Sequence, residues 1–374
     1  MNKNTANIVL VTMKGGGNFG TSLQSYALHK KLESLGYQVS FLHSLPIHYG
    51  YKEYLKYLLK ILHLYEFARK IIHPNRSLQQ IKLEQFDSSN LNEVNIYTKY
   101  QEKKLVEKTS CFVTGSDQIW NTYHHFNPVF FLSFVDSKKR VAYASSIGTT
   151  SIKDEYREEV KKQLLKFSYI GVREYEAVGV LSALTGRNDI QQVLDPTFLL
   201  EPNDWGRLAK DAKYEEYLPQ DYLLCYLIGN NTWYKEQLED VKEKLGMKDI
   251  IILPAIENPD FACEGATIYR NASPIEFVDL LQRAKFVCTD SFHATALSIN
   301  LSIPFVEFVR FRDDDKKSQN SRIYDVLNHF GLSSRIYKKE SIAWAQPVNY
   351  RPVQEILIHD REVSLNYLVN AIEN

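Results

Sequence analysis

From Ile8 onward the chain alternates short apolar runs with amphipathic stretches, and the alternation stops and restarts once. This order commits a chain to parallel sheets covered by helices, because a crossover between parallel strands needs a connection of helix length. In the first half, strand-like runs fall at Ile8–Thr12, Gln38–His43, Cys111–Thr114, Val141–Ser145, Tyr169–Val172 and Gln192–Leu194. The second half reads strand Tyr222–Ile228, helix Trp233–Leu245, strand Asp249–Leu253, helix Pro274–Arg283 and strand Phe286–Thr289. The expected class is therefore α/β, with two doubly wound domains over residues 1–200 and 201–310. A helical insert is expected over about 51–105, and a C-terminal helical segment over 311–374. Local signals agree. In the helix expected from about Ser22 to Leu35, Leu23, Ala27, Leu28, Leu32 and Leu35 recur at three- and four-residue steps, and Gly36 stands where a glycine cap belongs. Ser273, Pro274 and Glu276 have the spacing of a capping box with a first-turn proline.

Charge narrows the function. Lys+Arg and Asp+Glu both number 45, so no overall field draws the chain to nucleic acid, and an anionic ligand has to be held by local groups. Cys111, Cys225, Cys263 and Cys288 are widely spaced, which disfavours a zinc site or a disulfide framework and fits buried thiols in a reducing compartment. The first residues lack a secretory pattern and no apolar run reaches the roughly 18 residues of a spanning helix, so the expectation is a cytoplasmic protein. Tyr51–Ile72 departs from the scheme, mixing Tyr, Leu and Ile with Lys52, Lys56, Lys60, Arg69 and Lys70. It reads either as a helical hairpin packed on the first domain or as a basic amphipathic surface against the inner face of a membrane.

Four places carry chemistry. Gly15, Gly17 and Gly20 satisfy G-x-G-x-x-G between a strand and a helix, where the backbone around Gly17, Asn18 and Gly20 can cradle phosphate, or where the glycines only let helix and strand pack closely. The second strand ends His43-Ser44, without the ribose-binding acid of a nicotinamide site. After the strand at Cys111–Thr114, Ser116, Asp117 and Gln118 suit sugar hydroxyls and Trp120 an apolar sugar face; alternatively Ser116 or Asp117 merely caps a turn. Arg173 closes another strand, free to grip a carboxylate or phosphate unless Glu174 or Glu176 claims it. His293 falls near the first turn of a helix, where the helix dipole and a bound anion pull its proton occupancy in opposite directions.

In order and together, GNFGTSLQSYAL, FVTGSDQIWN, VAYASSIGT, IGVRE, VLDPTFLL, TDSFHATALSINLSIPFV and SRIYDVL resemble the polysaccharide pyruvyl transferase family over most of the chain. The resemblance implies two Rossmann-like domains facing a cleft, similar to B-type glycosyltransferases. It implies phosphoenolpyruvate as co-substrate, with no cofactor and no metal. The acceptor would be a sugar, whether nucleotide-linked, lipid-linked or polymeric, and the product a pyruvate ketal of surface polysaccharide biosynthesis. The family's donor-site arginine maps onto Arg173 and its catalytic histidine onto His293. Many members have an arginine two residues before that histidine; here the position is Ser291, so another cation would hold the donor phosphate, with Arg270, Arg310 and Lys14 as candidates by placement. Asp117 is the candidate for orienting or deprotonating the acceptor hydroxyl. A nucleotide-sugar glycosyltransferase and a non-catalytic sugar-binding protein are the alternatives on the same fold.

Overall fold

Each half of the chain builds one all-parallel sheet. The computed structural model describes residues 6–14, 18–46, 49–65, 68, 76–124, 126–136, 138–255, 259–312, 314–315 and 317–374. The first sheet contains β1 (Asn7–Val11), β2 (Gln38–Ser44), β3 (Glu93–Asn95), β4 (Cys111–Thr114), β5 (Lys139–Ser145), β6 (Tyr169–Val172) and β7 (Gln191–Gln192), in the order β3-β2-β1-β4-β5-β6-β7. The second contains β8 (Tyr222–Tyr226), β9 (Asp249–Ile252), β10 (Thr267–Ile268), β11 (Phe286–Thr289) and β12 (Phe305–Glu307), in the order β10-β9-β8-β11-β12. The α/β expectation holds, and both sheets are doubly wound. Strand order reverses between β1 and β4 in one sheet and between β8 and β11 in the other. At such a reversal the helices on either side diverge and leave a crevice at the carboxyl edge, where ligands bind.

The residues dictate the local structure. The central strands are buried apolar runs, Ile8–Val11, Phe112–Val113 and Tyr222–Tyr226, as strands covered on both faces require. The Ser273 hydroxyl accepts from the Ile275 amide at 3.1 Å and the Glu276 carboxylate accepts from the Ser273 amide at 2.8 Å, closing the capping box. Gly36 takes φ +93° just past the first helix, a conformation that a side chain would strain.

Two regions differ from the sequence reading. The insert holds the helices Tyr51–Ile61, Leu78–Asn90 and Lys99–Lys108, but also β3, which extends the sheet. Three residues, Glu93-Val94-Asn95, carry too little periodicity to announce a strand. The chain's end is not a separate segment either: the 24-residue helix Tyr350–Glu373 returns to the first sheet. There Tyr367, Leu368, Ala371 and Ile372 join Ile8, Leu10, Val113 and Val141 in one core, and the Tyr367 hydroxyl donates to the Ala142 carbonyl at 2.9 Å.

The two domains share apolar packing. Phe19 of the first helix stacks on Phe277 at 4.9 Å and tilts against Tyr226 at 5.5 Å, while Leu23 and Ala27 enter the same cluster. Each fully buried side chain of this size contributes about 1.5–3 kcal/mol, so this shared packing favours contact between the domains. Among the described residues no helix is long and apolar enough to cross a membrane. The four cysteines are buried and unpaired.

Candidate active site

The site forms where the two points of strand reversal meet. The first helix begins at Phe19, a turn earlier than its apolar spacing suggests, and Asn18 caps it by accepting from the Gly20 amide at 2.8 Å. The Tyr226 hydroxyl of the second domain donates to the same oxygen at 3.2 Å. Opposite, β11 leads through Asp290 and Ser291 into the helix Phe292–Asn300, with His293 in its first turn. A Cβ on Gly20 would lie 2.4 Å from Nδ1 of His293. Only glycine lets the two helix starts approach this closely, so the second domain's imidazole rests directly on the start of the first domain's first helix.

A buried carboxylate organises the cluster. Asp195 Oδ1 accepts from the Thr197 amide at 2.9 Å and the Thr197 hydroxyl at 2.8 Å, which caps the short helix Pro196–Leu199. Its Oδ2 accepts from Arg173 Nη1 at 3.1 Å and from the Ser116 hydroxyl at 2.9 Å, and faces His293 Nε2 at 3.7 Å, an ion-pair distance rather than a hydrogen bond. Burial alone would raise the Asp195 pKa; interaction with His293, then Arg173 and the Thr197 amide, outweighs it and holds the group far below the usual carboxylate range. Arg173 and His293 therefore meet the same oxygen atom.

Both leave a nitrogen unspent. Arg173 Nε donates to Glu174 Oε1 at 3.0 Å and its guanidinium lies 4.0 Å over the Phe292 ring, yet the buried Nη2 has no hydrogen-bond partner among the described residues. His293 Nε2 is likewise buried and without one among them. An unsatisfied buried donor costs about 1–3 kcal/mol, which an oxygen of a bound ligand would remove.

Asp117 stands beside them. It has φ +73° and bridges Ser145, and its carboxylate faces the cluster. Oδ2 accepts from the Thr21 hydroxyl at 3.0 Å and Oδ1 from the Gln118 amide at 2.8 Å. Burial raises its pKa, but His293 first, then Arg173, the Gln118 amide and Arg322, bring it below the ordinary value. Gln118 Nε2 donates to the Gln319 side-chain oxygen at 2.9 Å, and its Oε1 accepts from Asn121 Nδ2 at 2.8 Å.

Sequence reading missed Asp195 and Arg322. Asp195 precedes a proline and looks like a simple helix cap, which it also is. Arg322 opens the helix Ser321–His329, donating from Nε to the Gln319 carbonyl at 3.2 Å and from Nη2 to the Gln319 side chain at 2.9 Å, 5.9 Å from the Phe292 ring. Among the described residues no carboxylate forms an ion pair with it. Burial, then the neighbouring Arg173 and Arg310, push its pKa down to about 9. Arg173, Asp195, Phe292 and Arg322 line one cavity of about 90 Å³. A larger groove of about 560 Å³, bounded by Thr12, Asn18, Thr21, His43 and Asn127, opens at the carboxyl edge of the first sheet.

Other candidates lie elsewhere. Trp120 is only 1% exposed, stacked on Phe131 at 5.5 Å with Nε1 donating to the Phe130 carbonyl at 3.1 Å, so the expected sugar platform is a core residue with both faces shielded. Arg310 clasps Asp290, from Nε to Oδ2 at 2.9 Å and Nη2 to Oδ1 at 3.2 Å, and Asp290 in turn holds the Ile228 and Gly229 amides at 2.6 and 2.8 Å. That pairing locks the loop after β8 to β11. Arg270 is exposed beyond the edge strand β10, three strand positions from β11, or about 14 Å at ordinary strand spacing. Lys14 pairs with Glu93. Ser291 is buried at the N-cap position of the His293 helix without a side-chain cap bond. Gly17 lies outside the described residues.

Comparison with known proteins agrees with this layout. The family model described as polysaccharide pyruvyl transferase matches residues 18–310. A UDP-GlcNAc 2-epimerase from Neisseria meningitidis, solved with UDP-GlcNAc, aligns with a TM-score of 0.50 at 9% identity, covering 97% of this chain and 100% of that one. The S. aureus MnaA–UDP structure aligns at 0.50 and 12% identity, covering 99% and 98%. At these identities the likeness is one of fold, the B-type glycosyltransferase arrangement of two Rossmann-like domains. No curated protein matches the chain.

Proposed function

The chain belongs to the polysaccharide pyruvyl transferase family, and from that premise we propose that it transfers the enolpyruvyl carbons of phosphoenolpyruvate to two hydroxyls of one sugar as a pyruvate ketal. The observation that supports this most is a pair of buried nitrogens, Arg173 Nη2 and His293 Nε2, that lack a hydrogen-bond partner among the described residues and belong to side chains gathered on Asp195. A small, highly charged anion needs such donors, fixed in advance and shielded from water.

In this reading Arg173 Nη2 holds the donor carboxylate. Arg322 takes the phosphate in place of the arginine that Ser291 replaces: it lies against the same Phe292 ring as Arg173 and forms no ion pair with a carboxylate among the described residues, whereas Arg310 is committed to Asp290. His293 delivers its proton to the methylene carbon, forming a C–H bond and leaving C2 electron-poor. A sugar hydroxyl oriented by the ionised Asp117 attacks C2. The second hydroxyl then displaces phosphate by breaking the C2–O bond. Overall, the two hydroxyl protons end on the new methyl group and on the departing phosphate. Asp195 meets no reacting atom and is a positioning residue for Arg173 and His293. The acceptor enters through the groove beside Asn18 and Thr21, whose hydroxyl reaches Asp117.

The test is incubation with phosphoenolpyruvate and a panel of sugar acceptors in D₂O, followed by mass spectrometry. A ketal carrying one solvent deuterium in its methyl group is expected. His293→Ala should lower the rate at least by the 10²–10⁴-fold typical of a positioned acid. Undiminished transfer by that variant would remove His293 from the chemistry, and thermal protection by UDP without protection by phosphoenolpyruvate would favour a nucleotide-sugar transferase instead.

A further inference from the structure

The helix Tyr51–Ile61 buries none of its side chains. Its sequence is nevertheless two-faced. At about 100° per residue, Tyr51, Tyr54, Leu55, Leu58, Ile61 and the following Leu62 fall on one arc, with Lys52, Glu53, Lys56 and Lys60 on the other. In an ordinary surface helix the apolar arc turns to the core. Here the six apolar side chains are 37–78% exposed. The helix is tied down along its edge instead, where Tyr57 tilts against Tyr97 at 6.0 Å and the Lys60 ammonium lies 5.6 Å from the same ring. Over this helix the apolar face is therefore not packed on the first domain as the hairpin expectation has it; residues 66–67 and 69–72 of that stretch, with Arg69 and Lys70, lie outside the described residues. Eleven residues form only a marginal helix in water without a surface to pack on, and monomers in solution rarely expose a contiguous apolar patch of this kind.

We propose that this helix lies in the interface of an anionic bilayer. Its apolar arc would enter the acyl boundary, its tyrosines would sit at headgroup level, and its lysines would meet lipid phosphates. Charge favours this occupant. Three lysines stand against one glutamate, and Glu53 is already held by Lys56 at 2.7 Å. A second copy of the same basic helix would be repelled; a negatively charged surface is attracted. Placement adds to this. The helix follows β2, whose last residues His43 and Ser44 line the groove at the carboxyl edge of the first sheet. Docked this way, the groove opens close to the lipid surface. On the reading given under Proposed function, that selects an acceptor sugar carried on a lipid.

The experiment is co-sedimentation of the full chain with vesicles of phosphatidylcholine plus phosphatidylglycerol, against phosphatidylcholine alone, at low and high salt. The wild type should partition onto the anionic vesicles and be released by salt. Leu55→Glu with Leu58→Glu should weaken partitioning about tenfold or more with an unchanged melting temperature, since both side chains are exposed. Lys52→Glu with Lys56→Glu should do the same on anionic vesicles. Absence of partitioning, or full retention by the Leu55/Leu58 variant, overturns the proposal. So does a dimer that this variant dissociates in the absence of vesicle binding, because it assigns the face to a second copy. Calorimetric binding of phosphoenolpyruvate, run in parallel, reports on the donor site alone and so separates failure of this inference from failure of the transferase reading.

Discussion

Replacing Gly20 by alanine should damage turnover far more than stability. The new Cβ would sit 2.4 Å from His293 Nδ1 and 2.6 Å from its Cβ and Cγ, whereas ordinary contact begins at 3.4 Å. Roughly 1 Å must be made up by moving the imidazole or the helix start, the scale of misplacement at which positioned chemistry loses about 10²-fold. The stability terms are opposed. Overpacking costs about 1–3 kcal/mol, and alanine in a helix recovers about 0.5–1 kcal/mol over glycine. The net loss is about 1 kcal/mol, a small fall in Tm. Initial rates of phosphate release from phosphoenolpyruvate in the presence of acceptor, with Tm from calorimetry, separate the two. Gly179→Ala is the control, because a Cβ there meets nothing within 4 Å. A folded Gly20→Ala enzyme with a near-normal rate would show that contact between Gly20 and His293 does not position the acid.

Three further outcomes follow from the same contacts. Arg322→Gln should raise KM for phosphoenolpyruvate at least tenfold with a smaller change in kcat, and should cost the fold little, because burial and the neighbouring Arg173 and Arg310 already disfavour its charge and offset the lost bonds to Gln319; an unchanged KM would take Arg322 out of the donor site. Trp120→Phe should lower stability by about 1 kcal/mol through loss of the bond to the Phe130 carbonyl and leave the acceptor KM alone, whereas a raised acceptor KM would restore the sugar-stacking role. Asp87 is fully buried in the helix Leu78–Asn90, and burial pushes its pKa up to about 6. A carboxyl that holds its proton more tightly when folded costs stability as pH rises from about 4 through 6, so Asp87→Asn should gain about 2–3 kcal/mol at pH 7.5 and nothing below about pH 4. Equal urea midpoints for the two proteins at pH 7.5 would contradict this.

Much of this structure was legible in the residues. Strands such as Cys111–Thr114 and Phe286–Thr289 announce themselves because a strand buried on both faces is an unbroken apolar run, and Ser273-Pro274-x-Glu276 fixes a helix start by local chemistry alone. Arg173 and His293 stand out because polar residues directly after such runs fall at a sheet's carboxyl edge. What was not legible depends on tertiary placement. The polar outer face of Tyr350–Glu373 hides a helix whose apolar residues find their partners more than 200 positions earlier, as Tyr367 does at Ala142. Asp195 carries two roles on one carboxylate, and the cap it forms masks the oxygen it turns to Arg173 and His293. SRIYDVL contributed to the family resemblance without singling out Arg322, because its place beside Phe292, thirty positions earlier, arises only when the helices Phe292–Asn300 and Ser321–His329 pack on each other. Trp120 misled because an indole after a polar cluster looks like a sugar platform until Phe131 and Phe167 cover it.

The central claim is that the Asp195 cluster holds one small trianion between the two domains, and titration calorimetry of phosphoenolpyruvate tests it most directly. Saturable binding at one site per chain is predicted, abolished in Arg173→Gln and weakened in His293→Ala, since both side chains offer a buried nitrogen to the ligand. Absence of heat for the wild type, or undiminished affinity in Arg173→Gln, would contradict it.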